Sequence, residues 1–126
     1  MTLASSNFIA IPGLTAGADL SAKQYYVVKL ASTAKQVIVG AAATDGVIGV
    51  VQNDPASGEE ALVAALGVVK VATEASVTAG DWLAASTTGR AKTTTSANDD
   101  VIGRALETNS AAGDIIGVLI GGGFNF

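Results

Sequence analysis

The residues of this chain best suited to chemistry are two pairs of adjacent carboxylates, Glu59-Glu60 and Asp99-Asp100. Paired carboxylates act as general acid and base, or hold a cation, when their oxygens converge on one point. Adjacent residues of a strand point to opposite faces, so neither pair is predicted to form such a dyad. The segment Asn98-Asp99-Asp100 also lacks the glycine and the distal glutamate of a calcium loop. We therefore predict that both pairs are solvated turn charges and that no metal is bound.

Histidine and cysteine are both absent from the 126 residues. Their absence excludes serine triads that use histidine, zinc sites built on either residue, and disulfides. The hydroxyl-rich stretch Ser86–Ser96 has no base to activate a nucleophile. The glycines Gly121-Gly122-Gly123 are followed by neither a helix nor a lysine, as a phosphate-binding loop requires. The sequence thus predicts a protein without enzymatic activity, metal or cofactor.

The charge of the chain is sparse and mildly acidic, with seven Lys and Arg, eleven Asp and Glu, and a net charge of −4. Without a basic run, nucleic-acid binding is not expected. The cations are dispersed and read as solvated charge, with Arg90 and Arg104 the best candidates for an interface salt bridge. The longest apolar runs, Ala61–Val69 and Ile115–Phe124, fall short of the ~18–20 residues of a membrane span. No charged N-terminal region precedes an apolar stretch, so we expect a soluble protein without a secretion signal, made in the cytoplasm.

Short β-branched segments separated by Gly and Asp turns predict an all-β barrel or sandwich. The clearest unit is a hairpin that runs from Ala79 to Ser86, turns at Thr87-Thr88-Gly89 and returns over Arg90–Thr95. Trp82, the only tryptophan, is predicted to be buried in the core. The other predicted strands are Tyr25–Leu30, Gln36–Val39, Val47–Val51, Val68–Val71, Val101–Leu106 and Ile115–Ile120.

The segment Glu59–Leu66 is ambiguous, because Glu, Ala and Leu favour a helix while the following residues favour a strand. Eight residues are few for a helix. We predict a strand, a turn near Gly67 and a second strand, with at most one short helix, located in Ser57–Leu66.

The chain is predicted to comprise an N-terminal arm (1–13), a β-rich domain (14–120) and a C-terminal tail (121–126). Pro12-Gly13 ends the arm. The arm carries apolar residues but is too short to form its own core, so it either packs on its own domain or docks on a partner. The residues that would contact a partner are Asn7, Phe8, Ile9, Ile11 and Pro12. The flexible tail offers two aromatic anchors, Phe124 and Phe126.

An ordered series of motifs runs along the chain: Gly46-Val47-Ile48-Gly49-Val50, Gly67-Val68-Val69-Lys70-Val71, Ala79-Gly80-Asp81-Trp82-Leu83, Thr88-Gly89-Arg90-Ala91, Val101-Ile102-Gly103-Arg104-Ala105-Leu106 and Gly113-Asp114-Ile115-Ile116-Gly117-Val118-Leu119. Through these motifs the chain resembles, from Leu14 to Ile120, the tailed-phage capsid decoration, or cement, proteins. The resemblance covers no motif in the arm, and the family has no catalytic residues to transfer.

The resemblance implies a β-tulip-like protein on the exterior of the virion capsid, made in the cytoplasm of a bacterial host. It would bind the outside of an expanded icosahedral shell as a homotrimer and clamp neighbouring subunits of the major capsid protein.

Two other function classes are compatible with the sequence. One is a different virion β module, a tail or fibre component with a carbohydrate-binding face. Two Tyr and one Trp are few for stacking on sugars. The other is a trimeric β-barrel hydrolase that uses carboxylates and a metal, which would need histidines or clustered acids.

Overall fold

A computed structural model describes residues 7–96, 98–109 and 111–125, the last four by their backbone alone. These residues form ten strands and no helix, so none of them belongs to a helix able to cross a membrane. The all-β prediction is confirmed. The strands are β1 (Asn7–Ile11), β2 (Thr15–Ala16), β3 (Val27–Leu30), β4 (Gln36–Val39), β5 (Val47–Val51), β6 (Val63–Ala72), β7 (Trp82–Ala85), β8 (Ala91–Thr93), β9 (Asp100–Ala105) and β10 (Ile115–Asn125).

All strands belong to one sheet with the order β2-β4-β3-β5-β6-β10-β9-β7-β8. Over the residues described, this path ends at β2 and β8 and does not close, so the fold is a sandwich-like arrangement rather than a closed barrel. Strand β6 joins the first half of the sheet, β2 to β5, to the second half, β7 to β10. Its first residues pair with β5 and its later residues pair with β10. Strand β1 pairs with the opposite edge of β6.

The core consists of two clusters, because several strands of the first half are buried on both faces. Adjacent residues of a strand point to opposite sides, so Val27 and Val28 enter different clusters. The larger cluster joins the two halves and includes Val27, Val50, Val69, Val71, Leu83, Val118 and Ile120. The smaller one packs β3 and β5 against the segment after β1 and includes Leu14, Ala16, Leu20, Val28 and Val51. Each fully buried Val, Leu or Ile contributes about 1.5–3 kcal/mol to folding.

Strand β6 passes straight through Gly67, so the predicted turn at this residue is wrong. Gly67 has a φ of +119°, and a Cβ there would lie 2.4 Å from the backbone oxygen of Asn7. The glycine is needed because β1 lies against it, and only a residue without a side chain allows that approach. No helix forms over residues 57–66, which form a turn and the start of β6, so the prediction of at most one short helix in this segment is confirmed.

Both ends of the described chain belong to the sheet. Residues Asn7–Ile11 of the arm form β1, and the backbone of the predicted tail continues β10 as far as Asn125. The tail is therefore not free over residues 121–125, where Phe124 pairs with Val101. The division of the chain at residues 13 and 120 stays a prediction.

Candidate partner-binding face

One row of residues crosses the sheet on the side that the core does not cover. Register places Asn7 opposite Val68, Val68 opposite Leu119, Leu119 opposite Arg104, and Arg104 opposite Trp82. Residues directly opposite each other in neighbouring strands share a face and touch. We call this set the outer row: Asn7, Val68, Leu119, Arg104 and Trp82. It runs over β1, β6, β10, β9 and β7, and its residues come from widely separated parts of the sequence.

An open groove of about 340 Å³ lies along the part of the outer row formed by Leu119, Arg104 and Trp82, and its walls are almost entirely apolar. Leu66 and Leu119 are each 49% exposed there. Of the lining residues, Arg104 alone is charged. The lining residues are Leu66, Trp82, Gly103, Arg104, Leu119, Ile120 and Gly121.

Trp82 is half-buried at the groove and does not fill the core, so its predicted position was wrong. The neighbouring residue Leu83 takes the inward place and is fully buried. The guanidinium carbon of Arg104 lies 4.2 Å from the centre of the Trp82 ring, a cation–π contact. The Trp82 ring therefore lies at the surface, with the positive charge of Arg104 over it.

Gly103 lets β9 approach β10 closely at the floor of the groove. A Cβ at this position would lie 2.1 Å from the backbone oxygen of Leu119. A larger residue would push the two strands apart, and with them Arg104 and Leu119. The close approach thus keeps the outer row continuous across these strands.

The five arm residues predicted to bind a partner divide between inside and outside. Phe8 packs against the larger core cluster and Ile11 against the smaller one. Ile9 is 65% exposed, and it pairs with Leu66 at the rim of the groove. Asn7 and Pro12 are exposed. The arm residues described here therefore pack on their own domain, while Ile9 extends the apolar face and Asn7 lies at the end of the outer row.

Arg90 and Arg104, predicted together as interface cations, have different surroundings. Arg90 forms a 3.1 Å ion pair with Glu74, whose other oxygen accepts hydrogen bonds from the Ser86 and Thr88 hydroxyls. The bond from Thr88, more than that from Ser86 or the charge of Arg90, lowers the pKa of Glu74. Arg90 is thus committed to the β7–β8 turn, whereas Arg104 lies exposed in the groove.

For the two predicted tail anchors, Phe124 and Phe126, the structure describes no side-chain position. The backbone of Phe124 belongs to β10, and Phe126 lies outside the described residues. Their partner-binding role stays a prediction.

In the described part of the chain, no three acidic side chains cluster in a way that could hold a metal ion. Glu59 and Glu60 are exposed, as predicted. Asp99 and Asp100 are not solvated turn charges, and that prediction was wrong. Asp99 is buried and accepts a hydrogen bond from the Thr94 hydroxyl. Asp100 accepts the Val47 N–H at 3.0 Å, and its burial raises its pKa.

Comparison with protein-family models gives a match over residues 13–120 to the family described as phage cement protein. The match covers most of the chain. The chain belongs to the phage cement protein family. This result confirms the family resemblance and places the chain among the structural proteins of phage virions.

A solved structure supports the fold of this cement-family chain. The head fibre gp8.5 N base of bacteriophage phi29 superimposes with a TM-score of 0.66 and 18% sequence identity. The alignment covers 92% of this chain and 94% of the phi29 chain. A search of curated proteins found no match.

Sequence reasoning identified Arg104 but missed Leu66 and Leu119. Both lie in uninterrupted apolar runs, where no alternation with polar residues marks the exposed face. The register that places Leu119 opposite Arg104, and Arg104 opposite Trp82, also depends on strand pairing, which the local sequence does not encode.

Proposed function

We propose that this chain binds the outer surface of a phage head and stabilises the lattice of the major capsid protein. It does so without catalysis, as a component of the capsid exterior. The observation that carries the proposal is the outer row with its groove, which belongs to a chain of the cement family. An apolar patch on a folded protein commonly marks an interaction site.

The composition of the face suits an interface. Interface centres are enriched in Trp and Arg, and single residues of these types often dominate binding energy. Here Trp82 and Arg104 lie at one end of the row, and exposed aliphatic side chains flank them. The arm contributes through Ile9, whose exposed side chain continues the apolar surface. In this proposal residues Asn7–Ile11 of the arm are part of the binding face, and they already pair with β6 before the capsid is met.

The experiment is sedimentation of expanded, undecorated shells with variants of the protein. Leu119→Asp places a charge in the groove, and we expect a loss of binding of about tenfold or more. Leu30→Asp is the matched control, because Leu30 is 52% exposed and does not line the groove. Equal occupancy of shells by the wild-type protein and Leu119→Asp would contradict the proposed face.

We further propose that the protein acts as a homotrimer. Linking several copies raises effective affinity, since each additional contact forms at a high local concentration. Sedimentation equilibrium of the free protein tests this point, with a trimer mass expected and a monomer mass contradicting it.

A second candidate function is the base of a head fibre. The observation that favours it is the shared fold with the phi29 head fibre base over nearly the whole of both chains. Electron microscopy of virions separates the two functions. Compact knobs over the shell support cement, and projecting fibres at the same positions support a fibre base.

A further inference from the structure

Arg104 has hydrogen-bonding capacity that the described chain does not use. Its Nε donates to the backbone oxygen of Gly80 at 3.3 Å. Among the residues that the structure describes, ion pairs form at Lys29–Asp45 and Arg90–Glu74, and no carboxylate pairs with Arg104. An arginine carries five N–H donors in a planar fork, so the terminal donors of Arg104 remain open to a ligand.

The position of this guanidinium is held from two sides. The ring of Trp82 lies 4.2 Å away, and the bond to Gly80 fixes the Nε edge. A side chain held in this way loses less conformational freedom when it binds a partner. The planar fork matches the two oxygens of a carboxylate, which it binds bidentately.

We infer that Arg104 receives a carboxylate of the major capsid protein, and that the segment carrying it places an aliphatic side chain in the groove. This inference rests on the proposed function. We infer a carboxylate because Arg104 is the charged member of an otherwise apolar set of lining residues. We infer an aliphatic side chain because Leu66 and Leu119 form exposed apolar walls of the groove. An acid beside an aliphatic residue satisfies both.

The same charge argues against a second copy presenting this face by two-fold symmetry. A two-fold contact uses the same patch on both subunits, and one whose axis passes near Arg104 would bring two Arg104 side chains together. Like charges across an interface disfavour association. The contact of Arg104 with Trp82 also covers one face of the ring, which is then closed to stacking with a sugar.

The test measures binding of Arg104→Gln and Lys35→Gln to expanded shells. Both changes remove one exposed positive charge, so the net charge of the chain is the same in the two variants. We expect Arg104→Gln to weaken binding about tenfold or more, since it leaves the partner carboxylate unpaired, and Lys35→Gln to leave binding unchanged. Equal binding of the two variants would overturn the inference.

Arg104→Lys identifies the partner group directly. Its amine can be joined to a neighbouring carboxylate by a carbodiimide, and mass spectrometry then locates the linkage. We expect a conjugate with an Asp or Glu of the major capsid protein that is absent from wild-type samples. A conjugate between two copies, or none from shells that carry the bound variant, would overturn the inference. A wild-type protein that does not bind shells would overturn the proposed function itself.

Discussion

The two faces of strands β6, β10, β9 and β7 carry similar apolar residues, but one face is buried in the core and the other is exposed. In β10, Ile116, Val118 and Ile120 are buried in the core. Leu119, which alternates with them, is about half exposed. In β7 the pair Leu83 and Trp82 shows the same contrast. Residue type alone therefore does not decide which face of this sheet is buried.

The comparison separates the residues that stabilise the fold from those that bind a partner. The inner face has its covering layer in the other half of the sandwich. The outer row has no such cover from the described residues, so its apolar side chains are available to another molecule. Substitutions on the inner face should lower stability, and substitutions on the outer row should lower binding.

The strongest test of this separation compares two neighbours on β7. Leu83→Ala removes a fully buried side chain and should lower the free energy of unfolding by about 2–5 kcal/mol. Trp82→Ala removes a half-buried ring and its contact with Arg104, and should cost only about 1–2 kcal/mol. Urea unfolding measures both values. An equal loss in the two variants would show that Trp82 belongs to the core after all.

A smaller effect is expected where the arm joins the sheet. Gly67→Ala combines a φ of +119° with a clash against the arm backbone. We expect a loss of about 1–3 kcal/mol, accompanied by weaker shell binding because Ile9 is displaced. Gly58→Ala is the matched control, since its φ is +84° and a Cβ there meets no atom within 4 Å. If the two variants lose the same stability, β1 does not press on Gly67.

The smallest effect is expected at Asp45, outside both faces of these strands. Its carboxylate accepts hydrogen bonds from the Lys29 amine at 2.9 Å and the Ala41 N–H at 2.8 Å. The Lys29 bond, followed by the Ala41 bond, lowers the pKa of Asp45 below 3.8. Asp45→Ala should cost about 1 kcal/mol at neutral pH.

The pH dependence of the Asp45 effect has a definite sign. A lowered pKa in the folded state stabilises the protein above the unfolded pKa, and this contribution disappears as the pH falls through the folded pKa. The difference between wild type and Asp45→Ala should therefore vanish in acid. Asp54→Ala, in an exposed loop, serves as the control. A difference that persists at low pH would assign the effect to backbone geometry instead of charge.

Local sequence predicted much of the fold because β-branched runs and Gly turns report directly on strands and hairpins. The β7–β8 hairpin and the central strands follow the prediction closely. The arm strand β1 and the continuous β6 did not follow, because both depend on a contact between Asn7 and Gly67 that is distant in sequence. The outer row was not predictable for the same reason, since cross-strand register brings Trp82, Arg104 and Leu119 together.

The central claim, that the outer row is the surface covered by the capsid, is most directly tested by cysteine labelling. The chain has no native cysteine, so each variant carries a single thiol. Leu119→Cys lies in the groove and Leu30→Cys is equally exposed elsewhere. When shells bind the protein, maleimide labelling should slow strongly at residue 119 and remain unchanged at residue 30. Labelling of residue 119 at the same rate in free and shell-bound protein would contradict the account.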